Sequence, residues 1–141
     1  MKNTLWSNLL VDLKLKEIDN SDFSFLYKLL KDRDPKENIS HKEMPSYKEH
    51  IKFVKSKPYQ KWYIIEKNRK KIGSIYFSKQ NEIGVHFLSK MSNESIRQTA
   101  IQEIIKKNPG EKYFINVSPK NNDQINFLKK NGFSLAQYTF E

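Results

Sequence analysis

Glu82 and His86 lie four residues apart in the segment NEIGVHFL. On a strand, that even spacing turns both of them and Gly84 to one face, while Ile83, Val85 and Phe87 turn to the other. A carboxylate and an imidazole on one face can move a proton, and His86 is the better matched to neutral pH. Each also has a structural reading: His86 as a partly buried, hydrogen-bonded side chain, Glu82 as the surface charge that opens a strand. Glu49 and His50 make a second acid–imidazole pair, but Glu49 follows Ser46 by three residues, the spacing of a helix capping box, and His50 can serve helix packing. Trp62, Tyr63 and Tyr76 offer rings on which a sugar or a base could stack, although aromatic residues in central strands more often build a core.

Other chemistries are excluded by composition. With no cysteine, the chain has no disulfide, no thiolate zinc site and no cysteine nucleophile. Its three histidines, His41, His50 and His86, are spaced by 9 and 36 residues and match no metal motif, so no metal is expected. The net charge is +10, yet only Arg33, Arg69 and Arg97 among the 26 basic residues are arginine. Planar, bidentate phosphate and base contacts favour arginine, so this surface argues against a nucleic-acid partner and suits a small anionic ligand equally well. No stretch approaches the ~20 apolar residues of a membrane span, and Asn8 and Asp12 break the first apolar run before any secretory cleavage pattern. The expectation is a cytoplasmic protein, with residues 1–141 forming a single domain.

The elements that must position these side chains follow from periodicity and punctuation. Alternation over Leu9–Glu17 predicts a first strand, and Ser21 is placed to cap a helix from Asp22 to Asp32. A polar loop follows over Asp34–Pro45. Ser46 opens a second helix that ends before Pro58. Lys61–Glu66, Lys71–Ser78 and Glu82–Leu88 read as three strands in hairpin order, with turns at Asn68–Lys70 and Lys79–Asn81. A third helix runs from Asn93 to Asn108 and stops at Pro109-Gly110. Tyr113–Val117 reads as a fifth strand, a fourth helix starts at Asn121 or Asn122 and closes at Asn131-Gly132, and Phe133–Phe140 supplies a last strand or pair of strands. The order predicts an α+β fold: a mixed, mostly antiparallel sheet with four helices around it, and a parallel pairing of strands 4 and 5 across the third helix.

In that order the residues resemble the GNAT acyltransferase superfamily, and more narrowly its small bacterial members associated with amino sugars and nucleotide sugars. The segment NVSPKNNDQINFLKKNGF (Asn116–Phe133) is similar to the superfamily's fifth strand, Asn-rich turn and helix ending in Gly-Phe. WYIIEKNRKKIGSIYF followed by NEIGVHFL is similar to its central hairpins, and PSYKEHIKF to its second helix.

The resemblance implies that strands 4 and 5 splay apart and that the pantetheine arm of acetyl-CoA lies between them, against the strand-4 backbone of Val85, Phe87 and Leu88. It implies an acceptor amine entering from the face of the first two helices, with one of Glu49 and His50 in contact with it; if the polar face of strand 4 lines that cleft, His86 or Glu82 would take the proton, and Trp62 is placed as a ring for the acceptor to stack on. It places Asn121 on the pantetheine. The superfamily's phosphate loop reads Arg/Gln-x-x-Gly-x-Gly or Ala; the aligned residues Ser92, Asn93, Glu94, Ser95, Ile96 and Arg97 keep its length and none of its glycines. Glu94 brings a carboxylate toward the phosphates unless Arg97 or nearby lysines offset it. The position of a thiolate-protonating Tyr in the last helix is Leu128, which has no proton to give.

The resulting expectation is an acyl-CoA-dependent N-acyltransferase, a monomer or homodimer, that transfers directly to a small amine such as an amino sugar or nucleotide-linked amino sugar. The alternative is a protein of the same fold that has lost CoA binding and serves as a binding or accessory module.

Overall fold

The alternating segments become strands that pair in chain order. The structure, a computed structural model, describes residues 12–33 and 43–141. Strands β1 (Leu13–Glu17), β2 (Lys61–Lys67), β3 (Lys70–Phe77) and β4 (Ile83–Phe87) form one antiparallel sheet in the order β1-β2-β3-β4. Asn68 and Arg69 join β2 to β3 with φ of 51° and 67°, the positive values that a two-residue hairpin loop requires. The register shifts at Ile65/Glu66 and leaves Ile72 as an extra residue in β3.

The period of two sends Tyr63, Ile65, Ile75, Phe77 and Ile83 to one face, where they pack with Ile96, Ala100 and Ile104 of α3 (Glu94–Lys107). Ile64 points the other way, onto Leu26 and Leu29 of α1 (Phe23–Lys31) and Val54 of α2 (Tyr47–Lys55). Ile64, Ile65, Ile75 and Ile104 are each 0% exposed. At roughly 1.5–3 kcal/mol per fully buried side chain, the two layers hold β3 and β4 as a rigid platform. A fourth helix, α4 (Asn122–Lys130), packs Phe127 and Leu128 on Ile101. The fold is α+β, with helices on both faces of the sheet.

Helix boundaries follow local hydrogen bonding. Ser46 and Glu49 form the predicted capping box at α2, with the Glu49 N–H donating to Ser46 Oγ at 3.1 Å and the Ser46 N–H to Glu49 Oε1 at 2.9 Å. Asn93 caps α3, Asn121 caps α4, and Gly132 leaves α4 at φ 89°. The first helix begins differently from the expectation. Asp19, not Ser21, caps a short 3-10 turn over Asn20–Asp22 that leads into α1, and Asp22 accepts in return from the Asp19 N–H at 2.9 Å. Two carboxylates at a helix N-terminus meet its partial positive charge better than one hydroxyl does. The expected strand residues Leu9–Val11, His41 and most of the expected loop lie outside the described residues.

Two expected strands are corrected. Tyr113–Val117 makes one parallel bridge, between Glu82 and Phe114, and no further ladder among the described residues. The Phe114 N–H donates to the Asn81 carbonyl at 2.9 Å, and the Ile83 N–H to the Phe114 carbonyl at 2.7 Å. Beyond that point Ile115 and Val117 turn to pack against the cluster formed by Ile101, Phe127 and Leu128, so the chain leaves β4 instead of following it. The pairing is parallel and diverges, as expected, but is one rung long. Phe133–Phe140 forms no strand either. Leu135, Tyr138 and Phe140 stand 65%, 76% and 90% exposed, so the segment buries no apolar face that would hold it in a sheet.

Candidate active site

Where β4 and residues 115–118 part, a cleft of about 410 Å³ opens. One wall is β4 with the flanking Glu82 and Leu88; the other is Ile115 to Ser118; Ser92, Arg97 and Asn121 close one end. Backbone direction repeats every second residue of a strand. Because the Ile83 N–H points at Phe114, the main-chain groups of Val85 and Phe87 point the same way, into the cleft. The parting of the two segments therefore exposes a strip of unladdered strand edge.

The polar face of β4 forms the floor beside it. Glu82, Gly84 and His86 all line the cleft, together with Tyr76 from the paired position on β3. A Cβ at Gly84 would lie 2.1 Å from Tyr76 Cζ, so the missing side chain is what lets the ring lie flat there. Tyr59 stacks on Tyr76 with centroids 3.8 Å apart and planes 3° from parallel. Burial pushes the Tyr76 hydroxyl above the usual phenol range, with the Glu82 charge adding to the shift and Arg33 opposing it. Burial, then the neighbouring Tyr76, raises Tyr59 further. Both hydroxyls stay protonated at neutral pH and can donate. The Glu82 carboxylate is held by Asn116, whose Nδ2 donates to Oε2 at 2.5 Å.

At the other end, the residues of the would-be phosphate loop divide. Ser92 and Arg97 line the cleft; Asn93, Ser95 and Ile96 do not. Asn93 Oδ1 accepts from the Ile96 N–H at 2.8 Å, so one of the amides that an anion would seek is taken by the helix's own cap. Ile96 is buried in the core, and the Ser95 carbonyl accepts from Thr99 Oγ1. Lys130 lies 3.4 Å from Glu94, offsetting the carboxylate as the sequence reading required. The strip of β4 edge fits an extended pantetheine arm; at the loop, Ser92 and Arg97 are the residues that reach the cleft.

Asn121 also lines the cleft while capping α4, where its Oδ1 accepts from the Gln124 N–H at 3.2 Å. Glu49, His50 and Trp62 do not line it. Glu49 is committed to its capping box, His50 is 5% exposed and tilted against Tyr27 at 5.4 Å, and Trp62 packs edge-on to Tyr59 and Phe53. Lining residues that were not singled out from the sequence include Asp32, which accepts from the Ser89 N–H at 3.2 Å, Asn116 and Asp123. Each reaches the site from a segment far off in the chain, and no local spacing announces such a meeting. Among the described residues no group of three or more His, Asp and Glu is placed to hold a metal ion, and no helix is long and apolar enough to cross a membrane.

Comparison with known proteins bears on the fold. No family model matches the chain, and no curated protein matches it. Solved structures do. A domain from Methanocaldococcus jannaschii superposes with a TM-score of 0.72 at 20% identity, covering 93% of this chain and 94% of that one. A chimera of the spermidine N-acetyltransferase SpeG from Vibrio cholerae with hSSAT gives 0.74 at 14% identity, with 89% and 82% covered. The alpha-N-protein acetyltransferase RimL, solved with coenzyme A, gives 0.68 at 17% identity, with 89% and 81% covered. The chain has the fold of the GNAT N-acetyltransferases.

Proposed function

We propose that residues 1–141 form one acyl-CoA-dependent N-acyltransferase domain, a cytoplasmic monomer or homodimer, acting by direct transfer on a small amine such as an amino sugar or nucleotide-linked amino sugar. The observation that carries this reading is the unladdered edge of β4 at Val85 and Phe87, lying in one cleft with Glu82 and His86. The likeness in fold to N-acetyltransferases supports the class of reaction.

When bound, acyl-CoA supplies a thioester carbonyl as the acyl donor. The main chain of Val85 and Phe87 would hold the pantetheine arm as an added strand, with Asn121 and Leu88 beside it, the Leu88 N–H being taken by the Ile72 carbonyl, and Ser92 and Arg97 would meet the phosphates. Asn93, Ser95 and Ile96 shape that loop from behind. A β4 backbone N–H polarises the carbonyl oxygen. His86 takes the proton that the amine sheds as its N–C bond forms, with Glu82 as the alternative base. Leu128 is 7% exposed in the core, so the departing thiolate takes its proton from water. Glu49, His50 and Trp62 would bear on the acceptor only indirectly, by fixing α2 and the rings packed beside it.

A second reading is favoured by a separate observation. The Ile96 amide is already satisfied by Asn93 and the loop holds no glycine, which suits an accessory module that binds no CoA. One titration separates the two. Acetyl-CoA at a hundred times its dissociation constant should stabilise the native state by about 2.7 kcal/mol, seen as a raised melting temperature, and amino-sugar acceptors should then release free CoA thiol. No shift at millimolar acetyl-CoA would reject the enzyme in favour of the module.

A further inference from the structure

Arg97 stands where the superfamily's phosphate loop has its last small residue, yet its side chain is only 15% exposed. The guanidinium lies over the Phe127 ring, 4.6 Å from the centroid, and Nη1 donates to Asp123 Oδ2 at 3.1 Å. Its Nε is buried and has no hydrogen-bond partner. The ring fixes the plane of the guanidinium, and one carboxylate oxygen engages one of its five donors, so the fork is oriented but little used. Asp123 is the opposite kind of residue: 82% exposed, it lines the same cleft and is free to swing into water.

We propose, resting on the acyl-CoA reading, that the Arg97 side chain holds the donor's phosphates in place of the missing glycine amides, and that Asp123 is an internal carboxylate which those phosphates must displace. A phosphate and a carboxylate compete for one guanidinium and repel each other across it. The free protein thus satisfies Arg97 with its own anion, and donor affinity is set by the difference between the two partners. The ion pair is exposed on the Asp123 side, so it is weak enough to be exchanged.

The test is calorimetric titration of the purified protein with CoA, and with pantetheine as a probe that lacks the phosphates. Asp123→Asn should bind CoA about 3- to 10-fold more tightly, the scale on which a weak, half-exposed ion pair and its repulsion act, while pantetheine affinity stays unchanged. Arg97→Gln should weaken CoA at least tenfold, and in Arg97→Gln/Asp123→Asn the gain should vanish. Asp123→Ser, which removes the carboxylate but keeps a small polar side chain in the first turn of α4 and leaves the Asn121 cap intact, should repeat the gain, and the melting temperatures of the free variants show that each is folded. Unchanged or weaker CoA binding by both Asp123 variants, or a gain that persists without Arg97, overturns the proposal and leaves the acyl-CoA reading standing. If neither the wild type nor the Asp123 variants bind CoA at millimolar concentration, both fall together.

Discussion

Asn116 donates its side-chain amide to Glu82 at 2.5 Å, directly beside the one rung that ties β4 to the segment leading into α4. The bond anchors the carboxylate at the end where the two walls are joined, while His86, two positions further along the same face, sits where they have parted. Acid and imidazole therefore differ in place: Glu82 belongs to the rung that closes the site and His86 to its floor.

That difference makes the base assignable by substitution. His86→Gln keeps a hydrogen-bonding amide but accepts no proton, and it should lower turnover at neutral pH by ~100- to 10,000-fold with CoA affinity nearly intact. The acidic limb of the pH–rate profile should lose the histidine titration. Full activity with an unaltered profile would pass the role to Glu82, and Glu82→Gln should then show the loss. A lowered melting temperature with normal turnover would make His86 a packing residue.

Gly84 and Tyr76 set the shape of that floor. In Gly84→Ala the new methyl meets Tyr76 Cζ at 2.1 Å, with backbone ladders on both strands preventing retreat. The ring must tilt off Tyr59, at an overpacking cost of about 1–3 kcal/mol. Urea denaturation should show the loss, and the cost should shrink in a Tyr76→Ala background, where the clash has no partner. Equal costs in the two backgrounds would mean that the strand, not the ring, resists the methyl.

The sequence carried the antiparallel sheet and the α2 cap well, though not the cap of the first helix, because those are local: alternation, Asn-Arg at a hairpin and Ser46 three residues before Glu49 need no knowledge of the rest of the chain. It carried Glu82, Gly84 and His86 to one face for the same reason. What it could not show was where pairing stops. Ile115 and Val117 have strand-like composition, yet the pull of Phe127 and Leu128 draws them off β4 after one rung, and Phe133–Phe140 buries no apolar face that would hold it in a sheet. The meetings of Arg97 with Asp123 and of Glu82 with Asn116 span 26 and 34 residues and depend wholly on that divergence.

The loop between β4 and α3 can be restored toward the superfamily pattern. Glu94→Gly with Ser95→Gly removes two Cβ atoms and a carboxylate from the approach to the α3 amides while leaving Arg97 in place. Acetyl-CoA should bind more tightly by a few-fold in calorimetry, since bare amides can close on the phosphates. The free protein should lose about 0.5–1 kcal/mol for each glycine introduced into the first helical turn. Unchanged or absent binding in this variant would favour the accessory-module reading.

Asp22 gives the fold an acid-sensitive joint. Its carboxylate is 0% exposed and lies 2.7 Å from Lys71 and 2.9 Å from Lys16, and it also accepts from the Asp19 N–H. Burial alone would raise its pKa, but the hydrogen bonds from Lys71, the Asp19 amide and Lys16 together outweigh burial and hold it below the usual carboxylate value of 3.8. A carboxyl group more acidic in the folded than in the unfolded chain binds fewer protons when folded. Its stabilisation is therefore complete above about pH 4 and is lost as pH falls through the depressed folded-state value. Asp22→Asn should cost about 2–3 kcal/mol at pH 7, less than a fully buried pair because both lysines are about one-third exposed. It should also flatten the fall in stability between pH 4 and pH 2. Denaturant midpoints measured from pH 7 down to pH 2 check both expectations, and a variant that loses stability in acid as steeply as the wild type would remove Asp22 from the account.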